Sequence, residues 1–224
     1  EIGQRWVEAG YSAVKFGWEP MGQSEALDIE LVRAARQGLG PEATLLVDAG
    51  CVWDARTALR RAVAFEEFGV EWLEEPLHQA DVDGYAWLRD RSPLPIAAGE
   101  GECGRESFRP LIDRHALDVY QVDLSRNGFT DAAYVRDRVE EIGARLCNHC
   151  YTSPITVAAS AHWLSTCRDA FLFEDCVEDE PLRNELTLER VQAVDGRIEV
   201  PDGPGLGVTL NEDFVAAHLV SESR

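Results

Sequence analysis

The sequence predicts an α/β fold, a TIM-like (β/α) barrel, from three observations. Short apolar runs ending in a polar residue alternate with segments whose apolar residues recur at helical spacing. Seven such runs follow one another, and strand–helix alternation calls for parallel strands with right-handed crossovers. No glycine-rich dinucleotide fingerprint follows any run, which favours a barrel over an open doubly wound sheet.

The expected strands are SAVKF (12–16), TLLVD (44–48), EWLE (71–74), PIAAGE (95–100), DVYQVD (118–123), RLCNH (145–149) and AFLFE (170–174). Between them, Leu59, Ala62, Val63 and Phe65 mark a helix stopped by Gly69. Ser153 and Pro154 read as the N-cap and first position of a helix running to about Cys167. The opening EIGQRWVEAGYS reads as the last turns of a helix ending at Gly10. A closed barrel has eight strands, so the seven are expected to be strands 2 to 8, with the first preceding residue 1. Residues 1–190 are expected to form this partial barrel. Beyond residue 176 the pattern turns polar and turn-rich, and the C-terminal segment 191–224, with GRIEVPDGPGLGV, is expected to form a strand and loop that pack across the barrel or onto an absent domain.

Composition narrows the partners. With 21 basic and 41 acidic side chains the formal charge is −20, which repels nucleic acid and anionic membranes, so neither is an expected partner. So acidic a surface suits a high-salt cytoplasm, with lineage drift as the alternative origin. The six cysteines are spread through apolar segments, as reduced thiols in a cytoplasm would be. The chain therefore reads as soluble and cytoplasmic.

Residues that end parallel barrel strands converge at one mouth. Asp48, Glu74 and Glu100 end three successive predicted strands at equal intervals. Three carboxylates there repel one another unless a cation neutralises them, and a hard ion with open positions points to Mg2+. Acids at strand ends also cap helices, but three in register on neighbouring strands favour the metal. Glu75 is expected to face away from Glu74. The next two strands end in Asp123 and His149, and a carboxylate beside an imidazole fixes its tautomer and raises its basicity, as a general base requires. A zinc reading of CNHC (Cys147, His149, Cys150) lacks a second ligand pair at knuckle spacing.

Together AVKFG, LLVDAG, EWLEEPL, AAGE, VYQVDLSRNGF, CNH and VPDGPGLGV resemble the mandelate racemase subgroup of the enolase superfamily. The resemblance spans nearly the whole chain. It implies that Asp48, Glu74 and Glu100 ligate Mg2+, and that Asp123 and His149 act on the carbon next to a substrate carboxylate. It also implies an N-terminal α+β capping domain, toward which the C-terminal segment would return. A general property of such sites is a Lys or His base working with Mg2+.

Two positions depart from the pattern. The subgroup carries Lys-x-Lys on the second strand, whereas here Lys15, the only lysine in the chain, is followed by Gly17. Lys15 then reads as the electrostatic partner of the carboxylates, and the opposing base is missing. After the seventh strand the pattern has His-Trp-Leu-Glu, whereas this chain has HWLS with Ser165, and Glu174 is the candidate replacement acid. Racemisation needs proton exchange on two faces, but β-elimination of water needs one base and one acid. The resemblance therefore implies a Mg2+-dependent dehydratase of a sugar acid, aldonate or aldarate, giving a 2-keto-3-deoxy acid. The alternatives are an epimerase or racemase, or an inactive metal-binding relative. The implied partner is a small carboxylate substrate, and a homo-oligomer is expected of the full-length form.

Overall fold

The structure, a computed structural model, describes residues 2–220. In chain order the elements are α1 (Ile2–Glu8), β1 (Ala13–Gly17), α2 (Glu25–Leu39), β2 (Thr44–Asp48), α3 (Ala55–Glu66), β3 (Val70–Glu74), α4 (Val82–Arg89) and β4 (Ile96–Ala98). They continue with α5 (Arg105–Asp113), β5 (Val119–Asp123), α6 (Leu124–Glu141), β6 (Arg145–His149), α7 (Pro154–Leu164), α8 (Pro181–Glu185) and α9 (Glu212–Ala217). The strands form one parallel sheet in sequence order, β1 to β6. The helix starts follow local rules: Ser24, Asp54 and Ser153 each accept a backbone N–H from their own first turn. No helix among the described residues is long and apolar enough to cross a membrane.

The sheet separates two apolar layers. Outside, the helices cover residues such as Leu45, Val47, Leu73, Ile96, Tyr120 and Val122. Inside, Leu46, Trp72, Ala97, Val119 and Cys147 pack together, with Ala13 and Leu172 against them. Because side chains alternate along a strand, the residue two positions after an interior one also faces inward. Lys15, Asp48, Glu74, His149 and Glu174 each stand two residues after a member of the interior layer. The site residues are thus continuations of the core pattern.

The sheet is curled. In a flat sheet, six spacings of roughly 4.8 Å would put β1 roughly 29 Å from a segment beyond β6. Instead Lys15 Nζ lies 3.2 Å from Glu174 Oε1, and the Tyr11 hydroxyl donates to Asp175 at 2.8 Å. At the opposite end of the strands Arg145 on β6 pairs with Glu71 on β3 at 3.0 Å. The register shift between Leu45 and Leu46 against β3 accompanies this placement of Glu71.

Three expectations need correction. The seventh strand, 170–174, has only one bridge, Ala170 with Leu146. From there side chains replace the ladder: the Asn148 amide donates to Glu174 O and accepts from Glu174 N–H, each at 2.9 Å. The fourth strand ends at Ala98, so Glu100 lies in the following turn. By alternation from Ala97 it would point outward, but Gly99 at φ 120 redirects the chain. The C-terminal strand is reduced to the bridges Val194–Arg197 and Thr187–Leu210, since turns at Gly196, Gly205 and Gly207 leave no extended run. This segment returns to the barrel, Gly196 against Gly10 and Leu206 O against His162 at 3.2 Å; residues 221–224 lie outside the described residues.

Two stability measurements follow from these placements. Asn148→Ala leaves both backbone groups of Glu174 without partners, so the Glu174 amide should exchange hydrogen much faster, with a loss of roughly 1–3 kcal/mol in urea unfolding. Gly99→Ala puts a β-carbon 3.0 Å from Gln121 O and from the Phe108 ring at a left-handed φ. It should cost roughly 1–3 kcal/mol by the same assay.

Candidate active site

The C-terminal ends of the strands open into a cavity of ≈ 880 Å3, lined among others by Lys15, Trp18, Asp48, Glu100, Asp123 and His149, within the range of roughly 300–1,000 Å3 usual for small-molecule sites. Asp48 and Glu74 pair in register on β2 and β3. With Glu100 they offer carboxylate oxygens that all lie within 4.8 Å of one another, the one such grouping of metal-ligating side chains among the described residues. Cys147 is buried in the interior layer and His149 is engaged by acids, so CNHC does not assemble as a ligand cluster.

Charge in this mouth is unbalanced. Lys15 is hydrogen-bonded to Glu74, lies 3.2 Å from Glu174 and reaches Asp48 at 4.0 Å. Burial opposes its charge, yet Glu74, Glu174 and Asp48 raise its pKa well above the usual lysine value. One ammonium does not neutralise four acids. Burial, with Glu75 and Glu74 adding repulsion, pushes Glu100 up to about 8 although His149 pulls it down. Burial and the charge of Glu74 raise Asp48, and burial raises Glu174 against the pull of Lys15. A compact set of carboxylate oxygens with excess negative charge fits a hard divalent cation.

The dyad lies beside it. Asp123 and His149 pair in register on β5 and β6, and Asp123 Oδ2 stands 2.7 Å from His149 Nδ1. The other Asp123 oxygen accepts from the N–H and the hydroxyl of Ser125 at 2.6 and 2.5 Å, so Asp123 also caps α6. Those hydrogen bonds outweigh the burial that raises it and hold its carboxyl below the usual range. With Nδ1–H donating to Asp123, Nε2 is free to take a proton; it faces Glu100 Oε2 at 3.5 Å. Burial works against a charged imidazole here, but the Asp123 hydrogen bond and the charges of Glu174 and Glu100 raise His149 to about 9.

The structure thus gathers Lys15, Asp48, Glu74, Glu100, Asp123, His149 and Glu174 at one mouth. Ser165 is left out, exposed at the α7 C-cap with its hydroxyl donating to His162 O at 2.8 Å. Glu75 is buried, accepts from the Cys51 thiol at 3.4 Å and is not part of the triad's grouping. Sequence reasoning missed three partners of the acids. The Trp72 indole donates to Glu74 Oε2 at 3.0 Å, a pairing signalled by their shared strand face. Ser125, two residues after Asp123, is a cap position that could have been read. The Trp18 indole donates to Asp48 Oδ2 at 3.0 Å, and no sequence pattern announces it.

Comparison with known proteins agrees with this architecture. The family model for enolase C-terminal domain-like proteins matches residues 1–214. The L-talarate/galactarate dehydratase of Salmonella typhimurium is 34% identical over 188 residues, covering 84% of this chain and 45% of that protein. The D-galactarolactone cycloisomerase of Agrobacterium fabrum is 28% identical over 222 residues, covering 95% and 58%. The crystal structure of L-talarate dehydratase from Polaromonas, complexed with Mg and L-glucarate, matches with a TM-score of 0.84 at 32% identity, covering 95% of this chain and 57% of that one. The chain spans about half the length of the curated relatives it matches. With a family match over nearly all its residues and a curled parallel sheet bearing acids at its strand ends, the chain belongs to the enolase C-terminal domain-like family.

Proposed function

We propose that this protein is a Mg2+-dependent dehydratase of a sugar acid, removing the α-proton and eliminating the β-hydroxyl to give a 2-keto-3-deoxy acid. The observation that carries the reading is the juxtaposition of a base with a cation site: His149 Nδ1 is held by Asp123 at 2.7 Å while Nε2 stands 3.5 Å from Glu100 of the acid triad. Asp48, Glu74 and Glu100 would hold Mg2+, which supplies Lewis-acid stabilisation of negative charge on the substrate carboxylate. Relatives named for sugar-acid dehydration, and one crystal structure of such a relative complexed with Mg and L-glucarate, support the same class. The 191–224 segment would, in this reading, lie toward a capping domain that completes the site.

In this mechanism Lys15 sits beside the carboxylate end, adding positive charge where negative charge develops. His149 Nε2 takes the C2 proton, and Asp123 stabilises the imidazolium that forms. The C2–H pair moves toward the carboxylate and then forms the C2–C3 double bond as the C3–O bond breaks. His149 returns its proton to the departing hydroxide, water leaves, and the enol converts to the 2-keto acid. A cation shared by Glu100 would cancel part of the field that raises His149 and favour the neutral base. Racemisation is disfavoured because a β-carbon at Gly17 would overlap the Asp48 carbonyl oxygen, leaving no room for a second base on that strand.

The functional test incubates the full chain with Mg2+ and a panel of sugar acids in D2O, following keto-acid formation and deuterium entry at the α carbon. Keto acid from one or a few substrates is expected, with His149→Asn lowering the rate by at least roughly 100-fold. Deuterium exchange without keto acid would favour an epimerase, and neither signal the inactive relative. Metal dependence is read separately by thermal unfolding. Mg2+ at about 100 times its Kd should add roughly 2.7 kcal/mol to the wild type, an increment absent with EDTA or in Glu74→Gln.

A further inference from the structure

The end of β1 presses directly on the strand that delivers Asp48. Gly17 and Asp48 are register partners, and the next residue continues the contact, Trp18 N–H donating to Asp48 O at 3.1 Å. Trp18 stands at φ 65, a left-handed conformation that a bulky side chain keeps only where its surroundings hold it. Those surroundings are visible. The indole N–H reaches Asp48 Oδ2 at 3.0 Å, and the ring lies over Gly50, whose β-carbon would stand 3.5 Å from it. The loop beyond is pinned by buried Met21 and by Gly22 N–H donating to Asp28 at 2.7 Å; Asp28 is itself buried against Arg61 at 2.7 Å.

Gly50 N–H takes the other oxygen, Asp48 Oδ1, at 2.9 Å. Both oxygens of this carboxylate are therefore gripped by donors other than Lys15. Trp18 is nevertheless 61% exposed and lines the mouth, so burial does not account for its place. The strained backbone and the outward ring are both explained by the hydrogen bond.

We propose that Trp18 is a positioning residue for Asp48, its indole N–H setting the rotation of the carboxylate before the cation arrives. Partners that orient a ligand in this way preorganise metal sites. The inference rests on reading the acid triad as a Mg2+ site. It also gives the end of β1 a single role: where the resemblance implies a second base, the backbone closes on Asp48 and the following side chain holds it.

The test measures Mg2+ affinity by calorimetry for the full chain as wild type, Trp18→Phe and Trp18→His. The same titration is followed by 19F NMR of 5-fluorotryptophan-labelled protein, with the Trp18 resonance identified by its loss in W18F. W18F should bind Mg2+ roughly tenfold more weakly, the loss of one hydrogen bond to a charged acceptor. W18H keeps a ring N–H and tolerates positive φ, so it should recover most of the affinity. The Trp18 resonance should shift and saturate with the calorimetric isotherm. Wild-type affinity in a W18F protein with native near-UV circular dichroism overturns the proposal and leaves the metal reading intact. A W18H as weak as W18F assigns the effect to ring packing and overturns it too. Failure of the wild type to bind Mg2+ removes the metal reading and this proposal together.

Discussion

Four carboxylates meet one ammonium at the mouth of this barrel, and the rest of the site is organised around that imbalance. Lys15 bridges Glu74 and Glu174 and approaches Asp48, joining the first strand to the segment after the last. A compact ammonium carries its charge at a single point with rotatable donors, whereas a guanidinium is a broad planar fork. This difference gives a physical reason for one lysine in a chain that otherwise uses arginine. Burial first, and the charge of neighbouring acids after it, raise the Glu100, Asp48 and Glu174 carboxyls, and a divalent cation would favour their ionised forms.

The same alternation that builds the core builds the site. Trp72, buried in the interior layer, donates to Glu74 two residues on, so a core side chain also orients a candidate ligand. Asp123 caps α6 through Ser125 and holds His149 with its other oxygen. Capping competed with metal binding as a reading of strand-end acids; at Asp123 one carboxylate oxygen caps a helix while the other holds His149.

The proposed reaction is constrained as much by backbone packing as by side chains. At Gly17 the chain lies so close to Asp48 that no β-carbon fits, and Trp18 turns its indole onto that carboxylate. A single imidazole then faces the triad. One base suits an elimination in which the proton removed is returned to the leaving hydroxide.

Much of this was legible in the chain. Period-two alternation and the polar ends of Asp48, Glu74, Asp123 and His149 determined which residues share the barrel's inner face and its C-terminal rim. Six of the seven expected strands form ladders, because each apolar run is short and bounded by turn residues. The placement of Glu100 and Glu174 was not legible. Glu100 turns inward only through the φ of Gly99, and Glu174 is docked by the Asn148 side chain instead of a ladder. Trp18 likewise reaches Asp48 through a positive φ. The chemistry present and the face that carries it follow from the chain, since alternation is a local rule. Which groups touch follows from the fold, because those contacts depend on curling the sheet and on single backbone angles that no residue pattern specifies.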